Sequence, residues 1–392
     1  MTKHFYVLFS AQYAPHVGGV ESFTMNLAHE LRLLGHEVCI ATLHADDSPD
    51  YEIDDEGVRV FRFASYSFIG GRLPVSKKNH AYRALMKELL RQPCDRVLIN
   101  TRFYFHSIEG ARFARRCGAT SIVLDHGSAH LTLGRRSVDG LIRLYEHVIT
   151  RVLDHYHLRY AGVSLMSIRW LNHFGLHSDT IIPNAINAGE FRTSASHRSF
   201  YKELGFSKDA IVISSVARLS PEKGVMLLAQ AAAEMQNKNC VFLFAGDGPL
   251  RPDLEKMRIP SLYLLGNINK NDLSALLLQS DIFCLPSRSE GFCTALLEAG
   301  ACEDAVVITH VGGTDELVRD DDVNLENRSC GYQVFERGII LDEMNPNCIK
   351  SALSYLIEKP SERIRMGCAL RKHVDEKSNW RKTAEALDVA FE

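Results

Sequence analysis

The 392-residue chain lacks the long apolar stretches and biased segments that mark membrane, fibrous and disordered proteins. No run of apolar residues approaches the roughly 18 that a membrane-spanning helix needs, and there is no low-complexity segment or short tandem repeat. The apolar cluster over residues 5–9 is too short for the core of a signal peptide. With 46% hydrophobic and 24% charged residues, the composition is that of a globular protein, which we expect to be cytoplasmic.

Closely spaced cysteines are also lacking, because none of the ten cysteines stands in a Cys-x-x-Cys pair. This excludes the usual signatures of a disulfide framework and of a zinc site, and favours buried reduced thiols. We therefore predict no metal site.

The small net charge of -3 conceals two halves of different composition. Residues 1–200 carry 23 Lys and Arg against 19 Asp and Glu, whereas residues 201–392 carry 22 against 29. Fifteen of the 17 histidines also lie in the first 200 residues. The chain is about two and a half times as long as a typical domain, so two domains with different partners are expected.

The hydrophobic pattern alternates between strands and helices in both halves, which predicts two α/β domains with mostly parallel sheets. In the first half, strands are predicted at 5–10, 37–42, 58–63, 96–100 and 121–125, and helices at 20–34, 80–90, 107–117 and 139–156. In the second, strands are predicted at 211–216, 241–245, 262–265, 282–286 and 306–309, and helices at 223–236, 250–257, 272–279, 293–301 and 346–391. The polar stretch 184–208 interrupts the alternation and predicts a linker.

The unusual loops share one placement, since each follows the carboxyl end of a predicted strand. They are residues 10–19, 125–128, 218–224, 246–249, 287–291 and 311–313. Open parallel sheets bind ligands at this edge, so two such domains facing each other would enclose a ligand.

Two of these loops carry features typical of phosphate binding. Gly18 and Gly19 open the first helix, where they indicate either an anion site or a turn that needs positive φ. Arg218 and Lys223 bracket Ser220-Pro221-Glu222, a plausible helix start with Ser220 as its cap. Cations are unfavourable at a helix N-terminus unless an anion is present, so the pair indicates a diphosphate clamp or, alternatively, two solvated charges.

Three further side chains are candidates by position. Glu290 lies in a strand-end loop and Glu298 about one turn into the next helix, where a carboxylate can accept hydrogen bonds from sugar hydroxyls. His126 follows the strand 121–125 and could contact a reacting group. Each could also be an ordinary surface or packed residue.

Taken together, these motifs resemble the retaining glycosyltransferases of family 4, and the likeness runs in order over nearly the whole chain. The matching segments are 18–21 (GGVE), 125–127 (DHG), 182–184 (IPN), 216–224 (VARLSPEKG), 245–250 (AGDGPL), 286–292 (PSRSEGF), 297–299 (LEA) and 311–313 (VGG). The resemblance implies the GT-B fold, with two Rossmann-like domains facing each other across a cleft. It implies an acceptor domain at 1–188, a linker at 189–208, a nucleotide-sugar domain at 209–375 and, beginning just before Trp380, a helix at 376–392 that crosses back to the first domain.

The resemblance also implies roles for individual residues. Arg218 and Lys223 would bind the diphosphate, Glu290 would contact the transferred sugar, Glu298 would hold the ribose, and His126 would lie near sugar and acceptor. The remaining donor contacts would come from Gly18, Gly19, Asn184, Gly246, Gly248, Asn267, Ile268, Gly291, Phe292, Cys293 and Thr294. Acceptor contacts are expected from Tyr13, His16, Arg102 and His130.

The implied reaction is retaining, metal-independent transfer of a sugar from a nucleotide-sugar to a glycan, lipid-linked or glycolipid acceptor in polysaccharide or glycoconjugate synthesis. UDP-hexoses or UDP-hexosamines are the favoured donors and GDP-mannose stays open; the donor is a co-substrate and no cofactor is expected. The alternatives are a non-catalytic nucleotide- or glycan-binding relative and a UDP-sugar epimerase of the same architecture. The epimerase should lack the Arg218–Lys223 pair combined with the two glutamates.

A basic region at 69–151 carries 15 Lys and Arg against 6 Asp and Glu. It could dock peripherally on the anionic inner face of a membrane, bind an anionic acceptor, or be a solvated face. The acidic overall charge and the absence of a recognition motif argue against nucleic acid. The chain departs from the family pattern at Ala185, at Glu303-Asp304-Ala305 and over the acidic segment 320–328, which leaves the details of sugar specificity open.

Overall fold

The computed structural model describes residues 2–392 except 17, 45–47, 69–70, 72, 133–135, 237, 320–326 and 329–330, and gives the backbone alone at 136–137 and 327–328. It contains two compact units. Unit 1 comprises residues 1–184 and 380–392, and unit 2 comprises residues 185–379. The acidic segment 320–328, where the sequence departs from its family, lies almost wholly outside the described residues.

Unit 1 is a largely parallel sheet in the order β3-β4-β2-β1-β6-β7-β8, with β5 paired to β4. Only β3 and β5 run antiparallel to their neighbour β4. Its elements in chain order are β1 (Phe5–Ser10), α1 (Gly19–Leu33), β2 (Glu37–His44), β3 (Tyr51–Ile53), β4 (Arg59–Phe68), β5 (Leu73–Ser76), α2 (His80–Leu89), β6 (Arg96–Asn100), α3 (Phe105–Cys117), β7 (Thr120–Asp125), α4 (Arg136–Asp154), β8 (Arg159–Gly162) and α5 (Leu165–Asn172).

Unit 2 is a second sheet in the order β11-β10-β9-β12-β13-β16-β15-β14, antiparallel only at its last two pairings. Its elements are α6 (Ala188–Thr193), α7 (Phe200–Leu204), β9 (Ile211–Val216), a short 3-10 turn (Pro221–Lys223), α8 (Val225–Glu234), β10 (Cys240–Ala245), α9 (Arg251–Lys256), β11 (Leu262–Gly266), α10 (Lys270–Leu277), β12 (Ile282–Leu285), α11 (Thr294–Ala301), β13 (Ala305–Thr309), α12 (Thr314–Leu317), β14 (Asn327–Arg328), β15 (Tyr332–Phe335), β16 (Gly338–Leu341), α13 (Pro346–Glu358) and α14 (Pro360–Lys377).

The inner strands β6, β12 and β13 are buried along their whole length, as parallel strands covered by helices require. In unit 1, α3 approaches the sheet so closely that a Cβ on Gly110 would lie 2.9 Å from Phe9. The position therefore needs glycine for packing, although its φ is helical. These layers place every strand-end loop at the carboxyl edge of its own sheet.

The last helix, α15 (Trp380–Phe391), belongs to unit 1 and confirms the expected return of the C-terminus. It packs on α1, with the Trp380 ring 5.6 Å from that of Phe23. Farther along, Asp388 accepts a hydrogen bond from Arg96 at 2.6 Å and one from the Tyr6 hydroxyl. This buried polar network ties α15 to the strands β1 and β6.

The residues predicted to form a linker, 189–208, lie instead inside unit 2 and carry α6 and α7. The segment is polar, but Phe191 and Phe200 are fully buried and fix the two short helices to the unit 2 core. The predicted helix 223–236 is also divided, because Gly224 adopts φ +68 between the 3-10 turn and α8. Within the part of the chain that the structure describes, no helix is long and apolar enough to span a membrane.

Candidate active site

The centre of the candidate site in unit 2 is an ion pair between two loops. Lys223 Nζ lies 2.6 Å from Glu290 Oε1, and the Ser287 hydroxyl donates to the same oxygen at 2.8 Å. Both charged side chains are largely shielded, with 23% of Lys223 and 12% of Glu290 exposed. The structure thus brings together two residues that the sequence predicted to work on one ligand.

The backbone fixes this pair. Arg288 N–H donates to the Glu222 carbonyl at 2.8 Å, which joins the loop after β9 to the loop after β12. At Gly224, a Cβ would lie 2.1 Å from the Pro286 carbonyl oxygen, and φ is +68. Only glycine allows so close an approach of the two loops. Ser220 takes the expected N-cap position with Pro221 at the first helical position, although its side chain caps no backbone N–H.

Arg218 is exposed and lines a cavity of about 440 Å³ in unit 2. Among the described residues its guanidinium forms no salt bridge, although Glu222 lies close enough to interact with it electrostatically. The other lining residues are Val216, Ala217, Ala245, Gly246, Asp247, Asn267, Ile268 and Leu273. Three predicted donor contacts, Gly246, Asn267 and Ile268, are therefore in this cavity, whose volume falls in the usual range for small-molecule sites.

Gly246 and Gly248 shape the cavity through their backbones. Gly246 has φ +130, and a Cβ there would lie 2.0 Å from the Ala217 carbonyl oxygen. A Cβ on Gly248, which does not line the cavity, would lie 2.5 Å from the Leu219 carbonyl oxygen. Both glycines thus let the loop after β10 pack on the backbone that carries Arg218.

Glu298 lies in the second turn of α11, half-buried, and burial raises the pKa of its carboxyl to about 7, with Lys270 offsetting part of the effect. Such a carboxyl changes its charge near neutral pH. A carboxyl with a perturbed pKa is typical of a functional site.

The segment before α11 is held by contacts within unit 2. The thiol of Cys293 is buried, and the backbone N–H of Cys293 donates to the Gly312 carbonyl at 2.9 Å, so this N–H is already bonded within the protein. The ring of Phe292 packs against Gly313. Gly291 contributes its backbone to the contact with Gly312, and Thr294 is exposed at the first position of α11.

In unit 1, His126 is held by Asn100 at the end of β6. Its Nε2 lies 2.9 Å from Asn100 Oδ1, and the Asn100 amide donates to Thr24 Oγ1 at 3.1 Å. The amide oxygen can only accept, so Nε2 carries the proton and Nδ1 keeps its lone pair. Burial lowers the pKa of His126 to about 3, which keeps the ring neutral and makes it a hydrogen-bonding group rather than a cation.

Gly18 and Gly19 open α1 without a side-chain cap. Gly18 has φ -167, an extended conformation that any residue adopts, so the turn with positive φ does not occur at that residue. The anion interpretation is compatible with this geometry, because the first N–H groups of α1 lack a side-chain partner.

The expected acceptor residue Arg102 is placed otherwise. It is 1% exposed, and its guanidinium donates hydrogen bonds to Asp125 at 3.1 Å, Glu146 at 3.2 Å and Thr150 at 3.2 Å. It is therefore a structural residue here rather than an acceptor contact. Burial raises the pKa of Asp125, against the opposing effect of Arg102.

The other expected contacts of unit 1 are separated. Tyr13 and His16 line a small cavity of about 60 Å³, with Tyr13 buried and His16 exposed. His130 is half-buried and bonds Glu146 through Nδ1 at 3.1 Å. Asn184 is 7% exposed, so its side chain is not open to a donor in this structure.

Two positioning residues escaped the sequence analysis, Ser287 beside Glu290 and Asn100 beside His126. Ser287 lies in a matched segment and could have been named from its position next to the loop glutamate. Asn100 ends a predicted strand, but its contact with His126 joins residues 26 apart and has no local signature.

Comparison with known proteins agrees with this fold. Residues 197–373 match the family described as glycosyl transferases group 1, and residues 18–162 match the glycosyl transferase 4-like domain. An uncharacterized glycosyltransferase of Methanocaldococcus jannaschii, MJ1069, is 24% identical over 100% of this chain and 99% of its own length. The phosphatidylinositol N-acetylglucosaminyltransferase GPI3 subunit of Saccharomyces cerevisiae is 26% identical over 78% of this chain and 67% of its own length.

A third relative is the UDP-Gal:alpha-D-GlcNAc-diphosphoundecaprenol alpha-1,3-galactosyltransferase of Escherichia coli, 26% identical over 79% of this chain and 81% of its own length. Among solved structures, sucrose-phosphate synthase from Thermosynechococcus elongatus superposes with a TM-score of 0.73 at 16% identity, covering 99% of this chain and 98% of that one. Anabaena HepE in complex with UDP and glucose gives 0.71 at 15% identity, covering 99% of both chains.

The fold of the chain is thus the GT-B fold of glycosyltransferases. Within that class, residues 197–373 match the glycosyl transferases group 1 and residues 18–162 the glycosyl transferase 4-like domain, as the motifs in the sequence indicated.

Proposed function

We propose that the chain transfers a sugar, with retention of anomeric configuration, from a UDP-linked hexose or hexosamine to a lipid-linked or glycan acceptor. The observation that carries this proposal is the Lys223–Glu290 pair at 2.6 Å, because its lysine shares the loop after β9 with Arg218, which lines the 440 Å³ cavity. The names of the relatives support the substrates: one carries UDP-Gal and a diphosphoundecaprenol acceptor, another phosphatidylinositol and N-acetylglucosamine.

The proposed chemistry needs charge stabilisation more than a nucleophile. As the bond between C1 of the sugar and the phosphate oxygen breaks, negative charge grows on the departing UDP, and Arg218 and Lys223 offset it. The acceptor oxygen attacks C1 from the same face, and its proton passes to the departing phosphate oxygen. The two cations do the work that a metal ion performs elsewhere, so no metal and no cofactor enters the transfer step.

A nucleotide screen tests the donor. UDP, GDP, ADP, CMP and dTDP are each added at about 1 mM, and thermal unfolding is followed; a ligand at 100 times its Kd stabilises by about 2.7 kcal/mol. We expect UDP alone to raise the melting temperature of the wild type and to lose that effect in Arg218→Ala. Slow hydrolysis of UDP-sugars without added divalent metal, read by NMR, should release the α-anomer.

Any other outcome of the nucleotide screen or of the hydrolysis assay would contradict part of the proposal. A shift with GDP alone would replace the donor, and release of an epimerised sugar would favour the epimerase. No shift with any nucleotide in a folded sample would favour a non-catalytic relative.

For the acceptor side, we propose that α4 docks on an anionic membrane. Its solvent face presents a continuous apolar stripe, with Leu141 68%, Leu144 61%, Val148 55% and Val152 43% exposed. These residues fall within one side of the helix, because they recur at spacings of three and four. Exposed arginines also lie on α4 and on α3, which packs against α4: Arg151, Arg112, Arg115 and Arg116. An apolar stripe beside cations is the pattern of an interfacial helix.

Not all basic residues of the region 69–151 are available for this docking. Arg96 and Arg102, two of its members, are buried in ion pairs and cannot reach a lipid surface. Arg72 and Arg135 lie outside the described residues.

Sedimentation with vesicles tests the docking. We expect binding to phosphatidylglycerol-containing vesicles at low salt, weakening with salt by about 1 kcal/mol for each basic residue screened. Leu144→Glu should lower the bound fraction at least about tenfold, because a charge enters the apolar contact. The matched control is Leu33→Glu on α1, whose side chain is 75% exposed in the wild type. Equal loss in both variants, or no binding of the wild type, would refute the surface.

A further inference from the structure

Three histidines from separate elements of unit 1 meet at one place on its surface. His130 lies in the segment after β7, His147 on α4, and His173 at the C-terminus of α5. Each offers a ring nitrogen, and the three nitrogens lie within 4.8 Å of one another. No sequence motif joins them, because they are 17 and 26 residues apart along the chain.

We propose that His130, His147 and His173 form a binding site for a first-row transition metal dication, with zinc as its natural probe. Three imidazole nitrogens with a fourth position left to water match the coordination that zinc accepts in proteins. Nitrogens sharing one zinc lie about 3.3 Å apart, since each Zn–N bond is about 2.0–2.1 Å. Small rotations of the exposed His147 and His173 side chains bring the cluster to that size.

His130 has a carboxylate bonded to one ring nitrogen, as metal-bound histidines usually have. Glu146 Oε2 accepts from its Nδ1 at 3.1 Å, and Glu146 Oε1 accepts from Leu131 N–H at 2.9 Å. A carboxylate on one ring nitrogen fixes the tautomer, orients the ring and leaves the lone pair of the other nitrogen for a metal. Glu146 is itself 2% exposed and held by Arg102, so this orientation is rigid.

Packing supports the other two ligands. The His173 ring stacks on Trp170 with centroids 4.8 Å apart and an interplanar angle of 4°, and the His147 ring lies 4.8 Å from that of Phe174. Burial, and then the neighbouring His130 and His147, lower the pKa of His173. The ring is thus biased toward the neutral form that coordinates metals.

The local charge also admits a cation. The guanidinium of Arg102 lies 3.7 Å from the centre of the Phe174 ring. The same guanidinium is bound by two carboxylates, those of Asp125 and Glu146. The buried Arg102 charge is therefore compensated by carboxylate contacts. A dication at the cluster would connect the segment after β7, which also carries His126, to α4 and α5.

Zinc titration of the chelator-treated full-length protein tests the site, with competition by a chromophoric chelator and the visible spectrum of the Co²⁺ form as readouts. We expect one equivalent to bind at neutral pH and the affinity to fall as the imidazoles become protonated. His147→Ala and His173→Ala should each weaken binding at least about tenfold, while the exposed neighbour His155→Ala should leave it unchanged.

A second readout separates binding from misfolding. Zinc should raise the melting temperature of the wild type and of His155→Ala, but not that of the double variant His147→Ala/His173→Ala. The double variant also loses the ring contacts with Trp170 and Phe174, so its apo form should melt lower than the wild type, and the zinc-induced shift is therefore measured against the apo form of each variant. Equal zinc affinity in wild type and double variant, or no binding below about 10 μM, would overturn the site.

Discussion

Lys223→Ala should lower kcat for sugar transfer on the order of 10³-fold, with a smaller change in KM. The reason is that charge develops on the leaving diphosphate only in the transition state, and the loss of one preorganised charged donor typically costs two to three orders of magnitude. In the free protein the ammonium group is already held at 2.6 Å from Glu290, so no reorganisation is needed to present it.

The same variant should fold normally. Glu290 keeps its hydrogen bond from Ser287 at 2.8 Å, and the carboxylate is still 12% exposed, so it is not left as an isolated buried charge. Lys223→Arg retains the charge and should recover part of the rate. Lys256→Ala, which removes a lysine 76% exposed on α9, is the matched control and should leave kcat unchanged. A Lys223→Ala enzyme with more than about a tenth of the wild-type kcat would contradict the clamp.

The core of the fold could be predicted from sequence because parallel strands buried on both faces leave continuous apolar runs. β1, β6 and β9 are observed at the predicted bounds. The short strands β3, β5 and β8 and the hairpin β15–β16 were missed, because three- or four-residue strands carry too little pattern to stand out from loops. The segment 189–208 was mispredicted as a linker because it is mostly polar. Two buried side chains, Phe191 and Phe200, are enough to fix it to the core of unit 2.

The candidate site could also be predicted only in part. Residues of contiguous motifs, such as Lys223 and Glu290, could be paired because strand ends share one sheet edge. Arg102 could not be judged, since its burial depends on Glu146 and Thr150, more than 40 residues away. Glu303 could be judged in part from the sequence, because the family pattern has glycine at this position. Glu303 does adopt φ +69, a conformation unfavourable for a side chain, and its carboxylate pairs with Arg371.

Glu298 should make donor affinity depend on pH around neutrality. With the pKa raised to about 7 by burial, the carboxyl is protonated below that pH and accepts ribose hydrogen bonds fully only above it. We therefore expect the Kd for a UDP-sugar to improve about tenfold per pH unit up to 7 and then to level off. A UDP-sugar is the proper probe because its diphosphate has no ionisation of its own in this range. Calorimetric titrations between pH 5.5 and 8.5 measure the effect.

Stability should change in the opposite direction. A carboxyl whose pKa is higher in the folded than in the unfolded chain favours folding below its ordinary pKa, and that contribution disappears as the pH rises through 7. At pH 8 the buried carboxylate should therefore destabilise the unliganded protein by up to about 3 kcal/mol. Glu298→Gln removes the charge, so it should be more stable than the wild type at pH 8, with the difference shrinking as the pH falls and vanishing below the ordinary pKa of a glutamate.

The glutamine variant should also bind the donor about 10- to 100-fold more weakly at pH 8, because hydrogen bonds to a charged acceptor contribute about 1.5–3 kcal/mol. Its affinity should no longer depend on pH. Glu376→Gln, an exposed carboxyl on α14, is the matched control and should change neither quantity. Opposite shifts of stability and affinity in one variant are the signature of a carboxylate kept desolvated for its ligand. If Glu298→Gln instead lost stability at pH 8 or kept the pH dependence, the carboxyl would be a packing residue and another group would hold the ribose.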